Sequence, residues 1–360
     1  MSANLAVLLI LFVFLVSFIS LFVFRKVAQR IGLVDKPNER KHHTGQIPLV
    51  GGISIFFTMM LALFLTPELL LAPQLYAGCA FILVVIGAID DRYDISFKFR
   101  LVVQAAVSML MIVLGERSLH NLGYLMGSEA IHLPEPISIL LTVFAVIGAI
   151  NAFNMVDGVD GLLGGLASVT FGGLGILFYF NGMQGFATFC ALLVTAMLPY
   201  IMLNLGFPFG RRFKVFMGDA GSIFIGFTVI WLLIVASQGE RATALRPVTA
   251  LWLIALPLMD MVCIMIRRIR KGQSPFKPDR EHLHHICQRV GMSPRVSLLV
   301  ICLISTMMAA VGVWSEYLEI NETVMFVSFL LVFALYYLAI SYVWRITAFM
   351  HRWFKFTKPL

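Results

Sequence analysis

Asp90, Asp91 and Asp94 stand at the close of an apolar stretch in the pattern D-D-x-x-D. If the helix implied by that stretch continues, Asp90 and Asp94 share a face one turn apart, and Asp91 lies three residues from Asp94. Carboxylates held that close repel one another unless a cation or a proton intervenes. The trio is therefore a candidate for metal or proton chemistry. A solvated helix end partnered by Arg92 and Lys98 would account for the same residues without any chemistry.

Asn151, Asn154, Asp157 and Asp160 follow at intervals of three, among Gly158, Gly161, Gly164 and Gly165. The glycines allow a tight turn and close approach of backbone to a ligand. Asp160 is placed to cap the next helix, whose free N–H groups favour an anion. Helix packing explains glycines but not four polar side chains in register. Gly218, Asp219, Gly221 and Ser222 open a later apolar stretch, directly after Lys214, Val215, Phe216 and Met217. Asp219 suits a plain helix cap as well as a ligand site. Phe216 is either lipid-facing or a stacking platform for a base.

The segment from about 267 to 295 carries Asp279, Arg280, Glu281, His282, His284 and His285. An H-x-H-H cluster could bind zinc, but no nearby cysteine completes a site. The flanking arginines point to phosphate recognition instead. A second basic patch, Arg40, Lys41, His42 and His43, precedes Gly51 and Gly52.

The elements that must position these residues are membrane spans. The 360-residue chain is 60% apolar and 13% charged, about half the charge of a soluble domain at roughly 25%. Its apolar stretches are long enough to cross a hydrocarbon core roughly 30 Å thick, and about eleven spans are predicted. They run near 3–24, 48–66, 74–90, 100–115, 137–153, 162–180, 185–204, 220–237, 247–266, 296–314 and 323–345. The third to fifth look short. The first lacks the basic flank of a cleaved signal peptide. No stretch between spans reads as a separate soluble domain, so the expectation is one all-α, polytopic membrane domain over 1–360. The five cysteines have no paired spacing and suggest neither a disulfide framework nor a metal knuckle.

Of the 27 lysines and arginines, all but Arg117, Arg241 and Arg246 fall on one set of loops. The positive-inside rule makes that side cytoplasmic, with the N-terminus outside and the C-terminus inside. The net charge of +8 is mostly this signal, and no nucleic-acid partner is expected because the bases are dispersed among membrane loops. Every aspartate lies on the same cytoplasmic side or at its boundary, whereas the acidic residues of the outer loops are all glutamates. Chemistry is expected at the aspartate end.

Together the segments resemble the polyprenyl-phosphate N-acetylhexosamine-1-phosphate transferase superfamily over nearly the whole chain. The residues that carry the likeness are Asp90-Asp91-x-x-Asp94, Asn151-x-x-Asn154-x-x-Asp157-Gly158-x-Asp160-Gly161, Phe216-Met217-Gly218-Asp219 and Pro278-Asp279-Arg280-x-His282-x-His284-His285. The histidine segment differs from the three consecutive histidines of the muramoyl-pentapeptide branch, which favours an N-acetylglucosamine donor. The resemblance implies that UDP-N-acetylglucosamine and undecaprenyl phosphate give undecaprenyl-diphospho-N-acetylglucosamine and UMP, with Mg²⁺ and with Mn²⁺ as a substitute. Such a product starts enterobacterial common antigen and O-antigen chains of lipopolysaccharide. It further implies a multi-pass protein of the bacterial inner membrane with its site facing the cytoplasm, in contact with the lipid bilayer; a homodimer is among the assemblies it allows.

On that resemblance, Asp219 with Asn154 holds the metal. Asp90, with Asp91, serves the lipid phosphate; Asp94 and Asp157 belong to the catalytic set. Asp160, Phe216, Lys214 and Asn151 bind donor, Asp160 and Phe216 taking the uracil. Arg280, His282, His284 and His285 clamp the diphosphate-sugar end, without zinc and with modest pH sensitivity near 6.5, the reference value for histidine. A transporter would instead place charge at the midplane on broken helices, and a CDP-alcohol phosphotransferase would show a D-G-x-x-A-R signature. The sequence shows neither.

Overall fold

A computed structural model describes residues 3–35, 45–239, 243–275 and 282–342. Each predicted span coincides with helix: α1 (Ala3–Ile31), α2 (Gly51–Leu65), α3 (Pro73–Tyr93), α4 (Phe97–Gly115), α5 (Glu135–Met155), α6 (Leu162–Phe180) and α7 (Gln184–Asn204) in the first two thirds. α8 (Gly218–Ser237), α9 (Pro247–Leu253), α10 (Ala255–Arg270), the short α11 (Leu283–Arg289), α12 (Pro294–Tyr317) and α13 (Glu322–Ser341) follow. Among the described residues, nine helices are long and apolar enough to cross a membrane. The third to fifth spans are not short: α3, α4 and α5 have 21, 19 and 21 residues. α2, at 15 residues, falls below membrane-crossing length.

The single span expected over 247–266 is broken. α9 and α10 meet at an 80° bend. Pro257 lies in the first turn of α10, where its missing N–H costs nothing; a continuous helix would need that N–H to bond Leu253.

α8 is the central post, buried from Ala220 to Ser237. Small residues let α2 and α3 close on its N-terminal turn. A Cβ on Gly52 would lie 2.0 Å from the Gly221 Cα, and one on Gly87 would lie 2.4 Å from the Ala220 Cα. Any larger side chain at either position would push a helix away from the start of α8, so these contacts fix where Asp219 sits.

A small antiparallel ribbon, β1 (Val34–Asp35) with β2 (Ile47–Pro48), pairs Val34 with Pro48 and Asp35 with Ile47. It continues into the segment before α8: Phe216 N–H donates to Pro48 O (2.9 Å), and Gly51 N–H donates to Phe216 O (2.9 Å). Gly52 N–H bonds Met217 O at 3.0 Å. The chain that follows α1 thus clamps the Phe216-Met217-Gly218-Asp219 segment by its backbone, leaving the side chains for other work.

Candidate active site

The polar residues gather where α3, α5 and α8 end or begin. Asp91 caps α8: Asp219 N–H donates to its Oδ1 at 2.7 Å and Ala220 N–H to its Oδ2 at 3.2 Å. Helix N-termini favour a carboxylate in this position. Gly218 has a positive φ of 75° and its place would be closed to a Cβ by Asp91 Oδ2 at 2.4 Å. Asp91 is thereby a positioning residue for Asp219.

Asp219 is half-buried, its side chain 35% exposed against 4% for Asp90. Asn154 Nδ2 donates to Asp219 Oδ1 (2.5 Å) and to Ser222 Oγ (2.8 Å). Arg100, in the first turn of α4, pairs with Asp90 and lies 3.7 Å from Asp219 Oδ2. The sequence offers Arg92 and Lys98 as partners. Arg92 turns instead to the Gly32 carbonyl at 3.1 Å, and Arg100 does the pairing across the α3–α4 turn.

Asp94 corrects the shared-face expectation. α3 stops at Tyr93, and Asp94 takes a left-handed backbone (φ 51°) as its C-cap, with an exposed side chain outside the cluster. Asn151 is also turned away from it. Its amide donates to Gln104 Oε1 (3.0 Å) on α4 and to its own helix at Ile147 O (2.8 Å). Through these bonds it ties α5 to α4.

Asp157 is reachable by solvent yet crowded by protein atoms. That crowding, ahead of the negative charges of Asp219 and Asp160, pushes its carboxyl up to about 7. Asp160 Oδ2 accepts from Lys214 Nζ at 2.6 Å, and the same ammonium lies 5.1 Å from the Phe216 ring centre. Asp160, Lys214 and Phe216, three of the four residues expected to bind donor, are therefore one unit. Asn204, buried at the end of α7, joins the two loops that carry them: its Oδ1 accepts from Gly161 N–H (2.5 Å) and its Nδ2 donates to Val215 O (2.8 Å). Asn204 was not singled out in sequence, where it is one asparagine at the end of an apolar run.

The histidine segment docks on this group. A Cβ on Gly158 would meet His284 Nε2 at 2.2 Å, so the glycine is required for the histidine to lie on the Asp157–Asp160 loop. Burial, then the neighbouring His285 and His282, pushes the His284 imidazole down to about 3. It is neutral at physiological pH, which corrects the expected titration near 6.5 for this residue. His282 stacks parallel to His284 at 5.7 Å. Its Nδ1 is 2.8 Å from Asp260 Oδ2, and Asp260 Oδ1 accepts from Leu283 N–H (3.1 Å) and Tyr336 O–H (2.7 Å). His285 packs against His284 at 4.2 Å. Arg280 lies outside the described residues. Asp260 and Tyr336 were missed in sequence; an aspartate at the boundary of an apolar stretch was the one available signal.

Asp90, Asp91 and Asp157 all feel the charge of Asp219, while among the described residues Arg100 alone forms ion pairs within that carboxylate group. Such a surplus of negative charge fits a divalent cation. Among the described residues no three His, Cys, Asp or Glu side chains converge as a closed metal cage. Mg²⁺ does not need one: it takes one or two carboxylates and completes its shell with phosphate oxygens and water. Asp219, half-buried and oriented by Asn154, fits that mode.

A family model described as glycosyl transferase family 4 matches residues 74–237, from α3 to the end of α8. The chain is 51% identical over 341 residues to the undecaprenyl-phosphate alpha-N-acetylglucosaminyl 1-phosphate transferase of Escherichia coli (strain K12), covering 94% of this chain and 92% of that protein. The chain is a member of this family. Proteins of the same name from Salmonella typhi and Haemophilus influenzae are 52% and 48% identical over 345 and 347 residues, covering 94% and 96% of this chain and 92% and 97% of theirs. The glycosyl transferase match encloses every carboxylate of the Asp219 group. The histidine segment and Asp260 lie beyond it, within the part that the full-length relatives cover.

Proposed function

We propose that this chain transfers N-acetylglucosamine 1-phosphate from UDP-N-acetylglucosamine to undecaprenyl phosphate, releasing UMP, at the cytoplasmic face of the bacterial inner membrane. The carrying observation is the under-neutralised Asp219 group beside the Asp160–Lys214–Phe216 unit, in a chain about half identical to transferases of that name over nearly its full length. In the reaction an oxygen of the lipid phosphate attacks the sugar-bearing phosphorus, and the bond from that phosphorus to the UMP oxygen breaks. One diphosphate linkage replaces another, so no outside energy source is required.

Both reactants are anions, and the protein must hold them together. Asp219, kept in place by Asn154 and by the cap from Asp91, would bind Mg²⁺, with Mn²⁺ as the substitute. When bound, that ion supplies charge neutralisation at the diphosphate and the leaving UMP. Arg100 pairs with buried Asp90 and holds it next to Asp219. Asp90 lies at the end of a membrane span, where a lipid headgroup arrives, and is the group to orient the acceptor. Phe216 offers a face for uracil, and Asp160 a carboxylate for its N–H, with Lys214 fixing that carboxylate. His282, held by Asp260, and His284 bring the histidine segment over the same loop to contact the diphosphate-sugar end, as does Arg280 in this reading.

The test is release of UMP by the purified full chain in detergent, supplied with both substrates and Mg²⁺. Acceptor-dependent UMP supports the proposal. UDP as the product, or no nucleotide product, overturns it.

A further inference from the structure

Outside that site, at the same end of the bundle, two arginines converge with no acid between them. Arg25, near the end of α1, and Arg212, in the short turn Arg211–Phe213, lie over the one Phe213 ring, their guanidinium carbons 5.1 and 5.8 Å from its centre. Arg25 donates one bond, to the Arg212 carbonyl at 2.5 Å, which draws the two like charges together. Its Nε is buried without a hydrogen-bond partner. Among the described residues no carboxylate forms an ion pair with either arginine. Two adjacent cations and an unanswered donor call for an anion.

What lies beside them names its source. Phe207 and Phe209, in the loop leading to the turn, are 63% and 49% exposed. Phe209 packs on Phe18 and Phe22 of α1 at 6.3 and 6.0 Å, and Phe22 also meets Phe213 at 5.8 Å. An aromatic layer at the end of a membrane span, capped by arginines, is the boundary between hydrocarbon and headgroups. A free phosphate would use the arginines but leave the outward phenylalanines unexplained. We propose that Arg25 and Arg212, with Phe207 and Phe209 below them, bind an anionic phospholipid of the cytoplasmic leaflet by its phosphate headgroup. Basic pockets between spans on that side take such headgroups.

The site stands independently of the transfer reaction, but it is wired to it. Arg212 is two residues from Lys214, the partner of Asp160. An occupied headgroup site therefore holds the turn that sets Lys214.

Native mass spectrometry of the delipidated full chain, titrated with phosphatidylglycerol and separately with phosphatidylcholine, reads the binding directly. Wild type should prefer phosphatidylglycerol, and the double variant Arg25→Gln, Arg212→Gln should lose about fivefold in its affinity for each arginine removed. Lys26→Gln with Arg30→Gln is the control: both are exposed on the same end of α1, and the charge change is identical. It should bind as wild type does. Retained phosphatidylcholine binding and an unchanged elution profile show that the test variant is folded; should it fail to fold, Phe207→Ser with Phe209→Ser replaces it and should weaken phosphatidylglycerol binding as well. Equal loss in the control reduces the site to general surface charge and overturns the proposal. So does wild type without headgroup preference, or displacement of the lipid by equimolar soluble glycerol phosphate.

Discussion

Where α9 meets α12, Arg246 Nε donates to Glu316 Oε1 at 3.0 Å and its NH groups donate to Ser315 O (2.9 Å) and Ile320 O (2.6 Å), while Thr249 donates to Glu316 as well. One cation bonds one anion, both have their bonds filled by protein, and the nearby Glu322 accepts from the Tyr124 N–H. Around the start of α8, Asp90, Asp91 and Asp157 all feel the charge of Asp219, and among the described residues one arginine, Arg100, pairs with two of the four, Asp90 and Asp219. Folding alone would favour the first arrangement, because unpaired charge near protein interior is costly. Among the described residues the second is left incomplete, and that is the opening the proposed cation would fill. Charge that balances marks architecture, and charge left over marks a site.

The contrast breaks most visibly at Asp219. Asp219→Asn should lower turnover by about a thousandfold, since an electrophilic cation contributes several kcal/mol to such reactions. The protein should remain monodisperse in detergent, because the cap from Asp91 goes to the backbone of residue 219 and survives. Turnover near wild type, with unaltered Mg²⁺ dependence, rules out the assignment.

Asp260 sharpens the comparison because it is a balanced group placed to serve the site. Asp260→Asn should cut kcat about 10- to 100-fold, as losses of orienting carboxylates behind functional histidines do. It should be strongly non-additive with His282→Gln, the double variant losing little more than either single one. Additive losses would leave Asp260 a purely structural anchor.

How much of this was legible follows the same division. Asp157, Asp160 and Asp219 stood out because polar residues at the ends of apolar runs have few structural uses, and Lys214 and Phe216 are close enough in sequence to be read together, although their meeting with Asp160 across 54 residues is not. Arg100 was not legible: nothing in the sequence says that the α3–α4 turn brings it, rather than Arg92, onto Asp90. Asp260 and His282, or Asn204 and Gly161, meet through helix packing, and spacing along the chain carries no trace of that. Asp94 was misjudged because a pattern cannot show a helix stopping one residue early. The break before α10 had a signal in Pro257, hidden by uninterrupted hydropathy.

On the balanced side, Glu316→Gln should lower the thermal midpoint, at a cost of about 1–3 kcal/mol for weakened charged hydrogen bonds. Turnover of the folded fraction should be unchanged. A specific loss of kcat there would move chemistry to the wrong end of the molecule.

The smallest expected effects are in pH. With EDTA present, Asp157, pushed up to about 7, binds a proton in the folded state that the unfolded chain has released. Its contribution to stability is full below about 4 and is lost as pH rises through about 7. Asp157→Asn should flatten thermal stability over that window, and an unchanged slope contradicts the placement. His284, pushed down to about 3, has the opposite sign: its contribution is present above about 6.5 and is lost as pH falls towards 3. His284→Gln should lessen that acid loss, as a thermal scan against pH would register.

Binding of Mn²⁺, followed by electron paramagnetic resonance in the presence of UDP-N-acetylglucosamine, tests the carboxylate surplus itself. Wild type should immobilise the ion, Glu316→Gln should do so equally, and Asp219→Asn should leave the signal of the free aqueous ion. Undiminished binding in Asp219→Asn would contradict the assignment of the leftover charge to a cation.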